Sequence, residues 1–90
     1  MIMVSQEQLK ALKAKGRLLE PMVRIGKNGL TDSALRQVQL LLNKRKLVKV
    51  KLLKSFMESN ERKVSAEELA LRTGAELIDQ VGFVVVLYKR

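Results

Sequence analysis

The stretch "RIGKNGLTD" (residues 24–32) decides the fold, because the spacing of apolar residues changes across it. The residues around its start, "PMVRI" (21–25), alternate between two faces, which predicts a short strand. Beyond the loop, apolar residues recur at the spacing of a helix that begins at Thr31 or Asp32 and runs to about Lys44. The stretch is therefore predicted to join a strand to a helix.

Gly26 and Gly29 enclose Lys27 and Asn28 in this stretch, and three interpretations of the loop compete. Asn28 followed by glycine is a strong hairpin signal, but a helix follows rather than a second strand. The glycine spacing matches neither of the usual phosphate-binding fingerprints. The third interpretation is a loop of exposed backbone that lets a sugar-phosphate chain approach the first amides of the helix, as the GXXG loop of KH domains does. An ordinary glycine-rich turn is the alternative.

Outward from this loop the chain alternates between helices and strands. Ser5 and Gln8 form a capping box that predicts a first helix, and Gly16 is its predicted end. The other predicted segments are a strand (47–53), a polar linker (54–61), a helix (62–74) and two strands (75–80 and 83–90). Asn60 and Ser65 compete as the cap of the last helix.

The predicted order is α-β-α-β-α-β-β, which contains two strand–helix–strand crossovers. If both crossovers step in the same direction, both helices cover the same face of the sheet. The last strand is apolar on both faces and is expected inside the sheet rather than at its edge. Lysines on one side of the strand 47–53 indicate that the other face is partly solvated. We predict a two-layer α+β sandwich with a mixed four-stranded sheet and helices mainly on one face.

Composition limits the classes of function. The chain has 90 residues, enough for a single domain over residues 1–90, and it contains no cysteine and no histidine. Disulfides, thiolate or imidazole metal sites, and Cys or His nucleophiles are therefore excluded. Glu67 and Glu68 are adjacent on a predicted helix and point in different directions, so paired-carboxylate catalysis is not expected. The sequence predicts no enzyme, no metal, no cofactor and no small-molecule substrate.

The longest apolar run, "VGFVVVLY" (81–88), is far shorter than the roughly 20 residues of a membrane-spanning helix. The amino terminus becomes polar too early for a secretion signal. The basic first helix lacks a wide apolar face with Trp or Phe, which a helix lying on a membrane would need. A soluble cytoplasmic monomer without a membrane role is expected.

The distribution of charge is more informative than the formal net charge of +9. Residues 1–54 contain 13 Lys and Arg against 3 Asp and Glu, whereas residues 55–90 contain 5 against 6. Such asymmetry favours one basic face that meets a polyanion, nucleic acid before membrane. A charge that serves only solubility is the alternative.

Two long segments, "LKALKAKGRLLEPMVRIGKNGLTDSALRQVQLLLNKRKLVKVKLL" (9–53) and "TGAELIDQVGFVVVLYKR" (73–90), resemble the CRM domain, the chloroplast RNA splicing and ribosome maturation module. The chain length is similar to the stand-alone prokaryotic form, the YhbY family. The most specific part is the P-x-x-x-I-G-x-x-G-L-T run between Pro21 and Thr31. The resemblance implies a fold similar to the C-terminal domain of translation initiation factor three. It also implies an rRNA-binding assembly factor of the large ribosomal subunit.

Carried over by position, the resemblance implies that the loop residues Gly26, Lys27, Asn28 and Gly29 contact RNA. The further candidate RNA-binding residues are Arg24, Arg36, Lys10, Lys13, Lys49 and Lys51. The densest basic run, "NKRKLVKVK" (43–51), has a second explanation at Lys44 to Lys46, since cations at a helix end complement its dipole. The sequence does not determine whether the strand lysines adjoin the loop.

Aromatic residues are few, and Phe83 and Tyr88 fall on opposite faces of the last strand, where core packing is expected. Without a stacking platform, recognition of RNA shape and backbone is favoured over base-by-base recognition. Two alternatives stand beside RNA binding: a DNA-binding module and a protein-interaction module on ribosomal particles.

Overall fold

The computed structural model describes residues 4–57 and 61–90. The elements in chain order are α1 (Gln6–Leu18), β1 (Val23–Ile25), α2 (Asp32–Arg45), β2 (Leu47–Leu52), α3 (Lys54–Met57), α4 (Arg62–Thr73), β3 (Glu76–Val81) and β4 (Val84–Tyr88). This order confirms the predicted one, with the short helix α3 added between β2 and α4.

The four strands form one mixed sheet in the order β1-β2-β4-β3. β1 is parallel to β2, and β4 is antiparallel to both β2 and β3. The prediction that the last strand lies inside the sheet is confirmed, and Val85 and Leu87 of β4 are fully buried. Because β1, β2 and β3 run in the same direction, the loops that follow them lie side by side where these strands end. We call this side of the sheet the loop edge.

The main core lies between one face of the sheet and the helices α2 and α4, as predicted for two crossovers that step the same way. Its buried residues include Val38 and Leu42 of α2, Leu69 of α4, and Val48 and Val50 of β2. α1 packs on the opposite face, where Leu12 joins Ile78 and Val86 in a smaller cluster. The second face of the sheet is therefore half covered, which agrees with the prediction of helices mainly on one face and a partly solvated other face.

The predicted end of the first helix at Gly16 is wrong, because α1 continues to Leu18. Gly16 is buried in the helix, and a Cβ atom placed on it would lie 2.9 Å from Cγ1 of Val86. Glycine at this position therefore lets α1 approach β4 closely.

Thr31 and not Asp32 caps α2, since the Thr31 hydroxyl accepts a hydrogen bond from the amide of Ala34 at 3.1 Å. Asp32 is the first residue of the helix, where a carboxylate complements the helix dipole. The helix ends at Arg45, one residue later than predicted. Lys46 follows with φ of 68°, and its amide donates to the carbonyl of Leu42 at 2.9 Å.

The segment 54–61 is not simply a polar linker, because α3 places Phe56 in the main core with only 2% of its surface exposed. Glu61 occupies the cap position of α4 without a side-chain hydrogen bond. Ser65, one of the two predicted caps, is buried inside the helix, and Asn60, the other, lies outside the described residues. Gly74 ends α4 as predicted, with φ of 69°.

Candidate nucleic-acid interface

The loop between β1 and α2 is a tight turn at the loop edge of the sheet. The amide of Gly29 donates to the carbonyl of Gly26 at 2.9 Å, and the amide of Thr31 donates to the carbonyl of Gly29 at 3.0 Å. Lys27 and Asn28 occupy the tip of the turn and are exposed. The tip therefore presents one cation and one amide side chain to the solvent, directly before the amino end of α2.

Both glycines of this loop are explained by the fold. A Cβ atom on Gly26 would lie 3.3 Å from Cδ1 of Leu53 and 3.5 Å from Oγ of Ser55, so the loop rests against the segment that follows β2. Gly29 has φ of 74°, which disfavours other residues, and it faces the ring of Phe56. The glycines therefore do not identify a binding site by themselves. The candidate site depends on the exposed tip and on the charges around it.

A row of side chains crosses the open half of the second sheet face beside this loop. Directly paired positions in the four strands form the row Arg24, Lys51, Val84 and Val81. The neighbouring row contains Val86, which is covered by Gly16 of α1, so α1 covers that row and leaves this one open. At about 4.8 Å between strands, the open row is roughly 14 Å long.

Arg24 and Lys51 form the basic end of the open row. They lie directly next to the loop of residues 26–29, which we call the GKNG loop. Both are exposed, and Leu53, two residues after Lys51, donates its amide to the carbonyl of Ile25 at 2.8 Å. The structure thus brings Lys51 to the loop. Among the described residues, Arg24, Lys27 and Lys51 form no salt bridge.

Lys49 differs from Lys51, although the sequence pattern treats the two alike. Its ammonium group donates a hydrogen bond to the carbonyl of Leu19 at 2.9 Å in a half-buried position. This contact holds the connection between α1 and β1 against β2. Lys49 therefore has a structural role, and its charge is only partly available to a ligand.

Three of the four basic residues of α1 share one flank of the helix. Lys10, Lys13 and Arg17 are spaced by three and four residues, which places them on the same side. Arg17 lies beside Val84 at the open half of the sheet face. Arg17 is not among the predicted site residues, and its position follows only from the packing of α1 on the sheet.

Arg36 lies on the other side of the sheet from Arg24 and Lys51. It is exposed on α2, about one turn beyond the start of the helix, and α2 packs on the opposite face from α1. The predicted site residues therefore do not form one continuous patch. They lie on the two opposite faces of the sheet and in the GKNG loop at its loop edge.

The cations Lys44, Arg45 and Lys46 lie far from the loop. α2 has 14 residues, which corresponds to a length of about 21 Å at 1.5 Å per residue. Lys44 and Arg45 lie in the last turn of the helix and Lys46 directly follows it, whereas the loop precedes its amino end. Their position agrees with the interpretation that they complement the helix dipole.

Phe83 is an exposed aromatic residue at the loop edge, contrary to the expectation that it packs in the core. Of its surface, 46% is accessible, and its carbonyl accepts a hydrogen bond from the amide of Leu52 at 2.7 Å. Tyr88 packs as expected and adjoins the smaller cluster under α1. The turn after β3 carries Phe83 past the end of the core, which the apolar pattern alone did not indicate.

The acidic residues of α4 form a separate exposed surface. Glu67 and Glu68 are both exposed, and Glu68 pairs with Arg72 at 3.5 Å. Within residues 4–57 and 61–90, no group of three or more acidic side chains is arranged to hold a metal ion. No helix in the same residues is long and apolar enough to cross a membrane.

Comparison with known protein families assigns this chain to a family along almost its whole length. The chain belongs to the CRS1 / YhbY (CRM) domain family, whose model matches residues 4–89.

Individual relatives match along most of their length. "Probable RNA-binding protein PA4753" of Pseudomonas aeruginosa is 31% identical over 87 residues, covering 97% of this chain and 82% of the relative. "Probable RNA-binding protein YqeI" of Bacillus subtilis is also 31% identical over 87 residues, covering 97% of this chain and 88% of the relative. The solution structure of SAV1595 from Staphylococcus aureus, a hypothetical protein with a suggested RNA-binding role, superposes with a TM-score of 0.80 at 28% identity. That superposition covers 98% of this chain and 90% of the other.

Proposed function

We propose that this protein binds RNA and acts as an rRNA-binding assembly factor of the large ribosomal subunit, as a cytoplasmic monomer. The observation that carries the proposal is the position of Arg24 and Lys51, exposed and paired side by side, next to the exposed tip of the GKNG loop. The names of the two bacterial relatives support RNA as the ligand. The role in assembly of the large subunit rests on the resemblance to the family's stand-alone members.

The loop edge holds the RNA backbone through charge and exposed amides. Arg24 is suited to a two-pronged hydrogen bond with a phosphate, and Lys27 reaches outward as a mobile cation. The first-turn amides of α2, at Asp32 and Ser33, have no acceptor within the helix, so they add partial positive charge beside the loop. The Asp32 carboxylate opposes a phosphate directly in front of the helix, which favours an RNA path across the tip and toward Lys51.

The proposed function requires binding without catalysis. Neutralising phosphates releases condensed counterions, so affinity falls as salt is added. Each neutralised phosphate contributes roughly 0.7 to 0.9 to the slope of log affinity against log salt. We therefore expect a steep salt dependence for structured RNA.

The test compares two double variants that each remove two positive charges. One pair lies at the loop edge, near the amino end of α2, and the other lies at the carboxyl end of α2. Arg24→Gln/Lys51→Gln removes two cations at the loop edge, and Lys44→Gln/Arg45→Gln removes two at the carboxyl end. A fluorescence titration with a transcript of large-subunit rRNA measures affinity at several salt concentrations. The loop-edge variant is expected to lose about 1.4 to 1.8 from the salt slope, one phosphate for each cation, and the control variant is expected to keep the native slope.

Equal losses in both variants would contradict the proposed site, and a flat salt response of the native protein would contradict RNA-backbone binding. Competition with duplex DNA separates this function from a DNA-binding module, since the proposal expects DNA to compete poorly. Cosedimentation with ribosomal particles after nuclease treatment separates it from a protein-interaction module. Association that survives digestion of the RNA would favour the protein partner.

A further inference from the structure

A groove opens on the second sheet face, between the carboxyl end of α1 and the hairpin of β3 and β4. It is lined by the valines Val81, Val84 and Val86, of which Val86 is largely covered by Gly16, and by Arg17 and Asp79. The groove continues the open row of the sheet, because Val84 is paired directly with Lys51. It therefore begins where the basic end of that row stops.

The groove combines an apolar floor with polar groups of both signs. Val81 is 62% exposed and is paired across the strands with Val84, so the apolar part of the groove is open to solvent. Arg17 supplies positive charge beside these valines, whereas the ammonium group of Lys49 is held by the carbonyl of Leu19. The carboxylate of Asp79 is oriented by a hydrogen bond, since its Oδ1 accepts the amide of Gln80 at 3.0 Å.

We propose that this groove is a subsite for one unpaired nucleobase of the bound RNA. The inference rests on the proposed RNA binding and adds base selectivity to it. A nucleobase offers a flat apolar face that can pack on the valines. The phosphates on either side of the same nucleotide are anions that Arg17 and the nearby Arg24–Lys51 pair can bind. The Asp79 carboxylate repels phosphate from the groove itself, so the base enters and the backbone stays at the rim.

Asp79 also determines which base binds best. A carboxylate accepts hydrogen bonds and donates none. Guanine presents two neighbouring N–H donors on its Watson–Crick edge and can bind both carboxylate oxygens. Cytosine and adenine present one amino group each beside an acceptor, and uracil presents a single N–H between two carbonyls. The expected order of affinity is guanine first, cytosine and adenine next, and uracil last.

The test uses RNA hairpins that are identical except for one bulged nucleotide, which is G, C, A, U or absent. The native protein is expected to bind the G-bulged hairpin about tenfold more tightly than the U-bulged one, the usual scale for a two-pronged base contact. Asp79→Asn keeps an oxygen that can accept the Gln80 amide and removes the paired acceptors. This variant is expected to lose most of the tenfold preference while binding the U-bulged hairpin at least as tightly as before.

Glu67→Gln is the matched control, since it changes the net charge by the same amount on the opposite side of the molecule and should keep the preference for G. A second variant, Val81→Ser, shortens the apolar wall at an exposed position. It is expected to weaken binding of all bulged hairpins by a few-fold and to leave the bulge-free hairpin unchanged. Circular dichroism confirms that each variant is folded.

The outcomes separate the two proposals. Equal affinity of the native protein for all five hairpins would overturn the base subsite and leave RNA-backbone binding in place. A preference for G that persists in Asp79→Asn would also overturn it. Failure of the native protein to bind any hairpin or the rRNA transcript, even at low salt, would overturn both proposals.

Discussion

Similar positive charge lies near each end of α2, in very different surroundings. At the amino end, Lys27 and Lys51 lie on or beside an exposed turn that follows a strand. At the carboxyl end, Lys44 and Arg45 lie in the last turn of the helix, and Lys46 closes it through its own backbone. One end presents charge next to an open surface, and the other places charge where the helix dipole already favours it.

The difference shows that charge density along a sequence does not locate a site. The run "NKRKLVKVK" (43–51) is the most basic stretch of the chain. The fold nevertheless places its first cations before the start of β2 and Lys51 near the end of the same strand. Strand β2 carries the chain away from Lys46 and brings Lys51 to the register partner Arg24. The sheet therefore brings together cations that are far apart in the sequence and separates cations that are close in it.

The largest expected effect concerns the support of the loop edge. Phe56 is 2% exposed and its ring faces Gly29, so Phe56→Ala leaves a cavity directly behind the loop. A loss of about 3 to 5 kcal/mol in the free energy of unfolding is expected, measured by chemical denaturation. Leu71→Ala is the control, since Leu71 is 81% exposed and its loss should cost at most about 0.5 kcal/mol. Similar losses in the two variants would show that α3 does not anchor the loop.

The next effect sharpens the role of the loop tip in binding. Gly29→Asp and Gly29→Asn both place a side chain at φ of 74°, a conformation that Asn and Asp tolerate better than other residues, so both are expected to fold with the same small loss of stability. Only the aspartate adds a negative charge beside the expected phosphate path. Its affinity for the rRNA transcript is expected to fall at least about tenfold below that of the asparagine variant. Equal affinities would remove the loop tip from the interface.

The smallest effect separates the two ends of α2 with single substitutions. Lys27→Ala removes one exposed cation from the tip and is expected to lower the binding free energy by less than about 1 kcal/mol. Lys44→Ala is the matched change at the carboxyl end, and its affinity is expected to stay within about twofold of the native value. A larger loss for Lys44→Ala than for Lys27→Ala would reverse the assignment.

Much of the fold follows from local patterns in the sequence. The alternation in β2, the helical spacing in α2 and the two-sided apolar character of β4 predicted each element and the central place of β4. Gly16 was misjudged because its role depends on Val86, a residue 70 positions away in the chain. α3 was missed since four residues are too few to show a helical period.

The candidate site was predictable only in part, for a related reason. The loop residues and the cations could be named from the sequence, but their grouping depends on strand register. Lys49 and Lys51 follow the same alternation, yet a hydrogen bond to Leu19 ties up one of them. Arg17 and Asp79 line the same groove because α1 packs on the sheet, and the sequence alone does not predict that packing.

The most direct test of the account maps the amides that RNA perturbs. An NMR titration of the isotopically labelled protein with the G-bulged RNA hairpin is expected to shift the amide signals of residues 24–29, 51 and 81–84. The signals of residues 44–46 are expected to stay unchanged. Perturbations centred on residues 44–46, with the loop edge unaffected, would contradict the claim that RNA binds where β1 and β2 end.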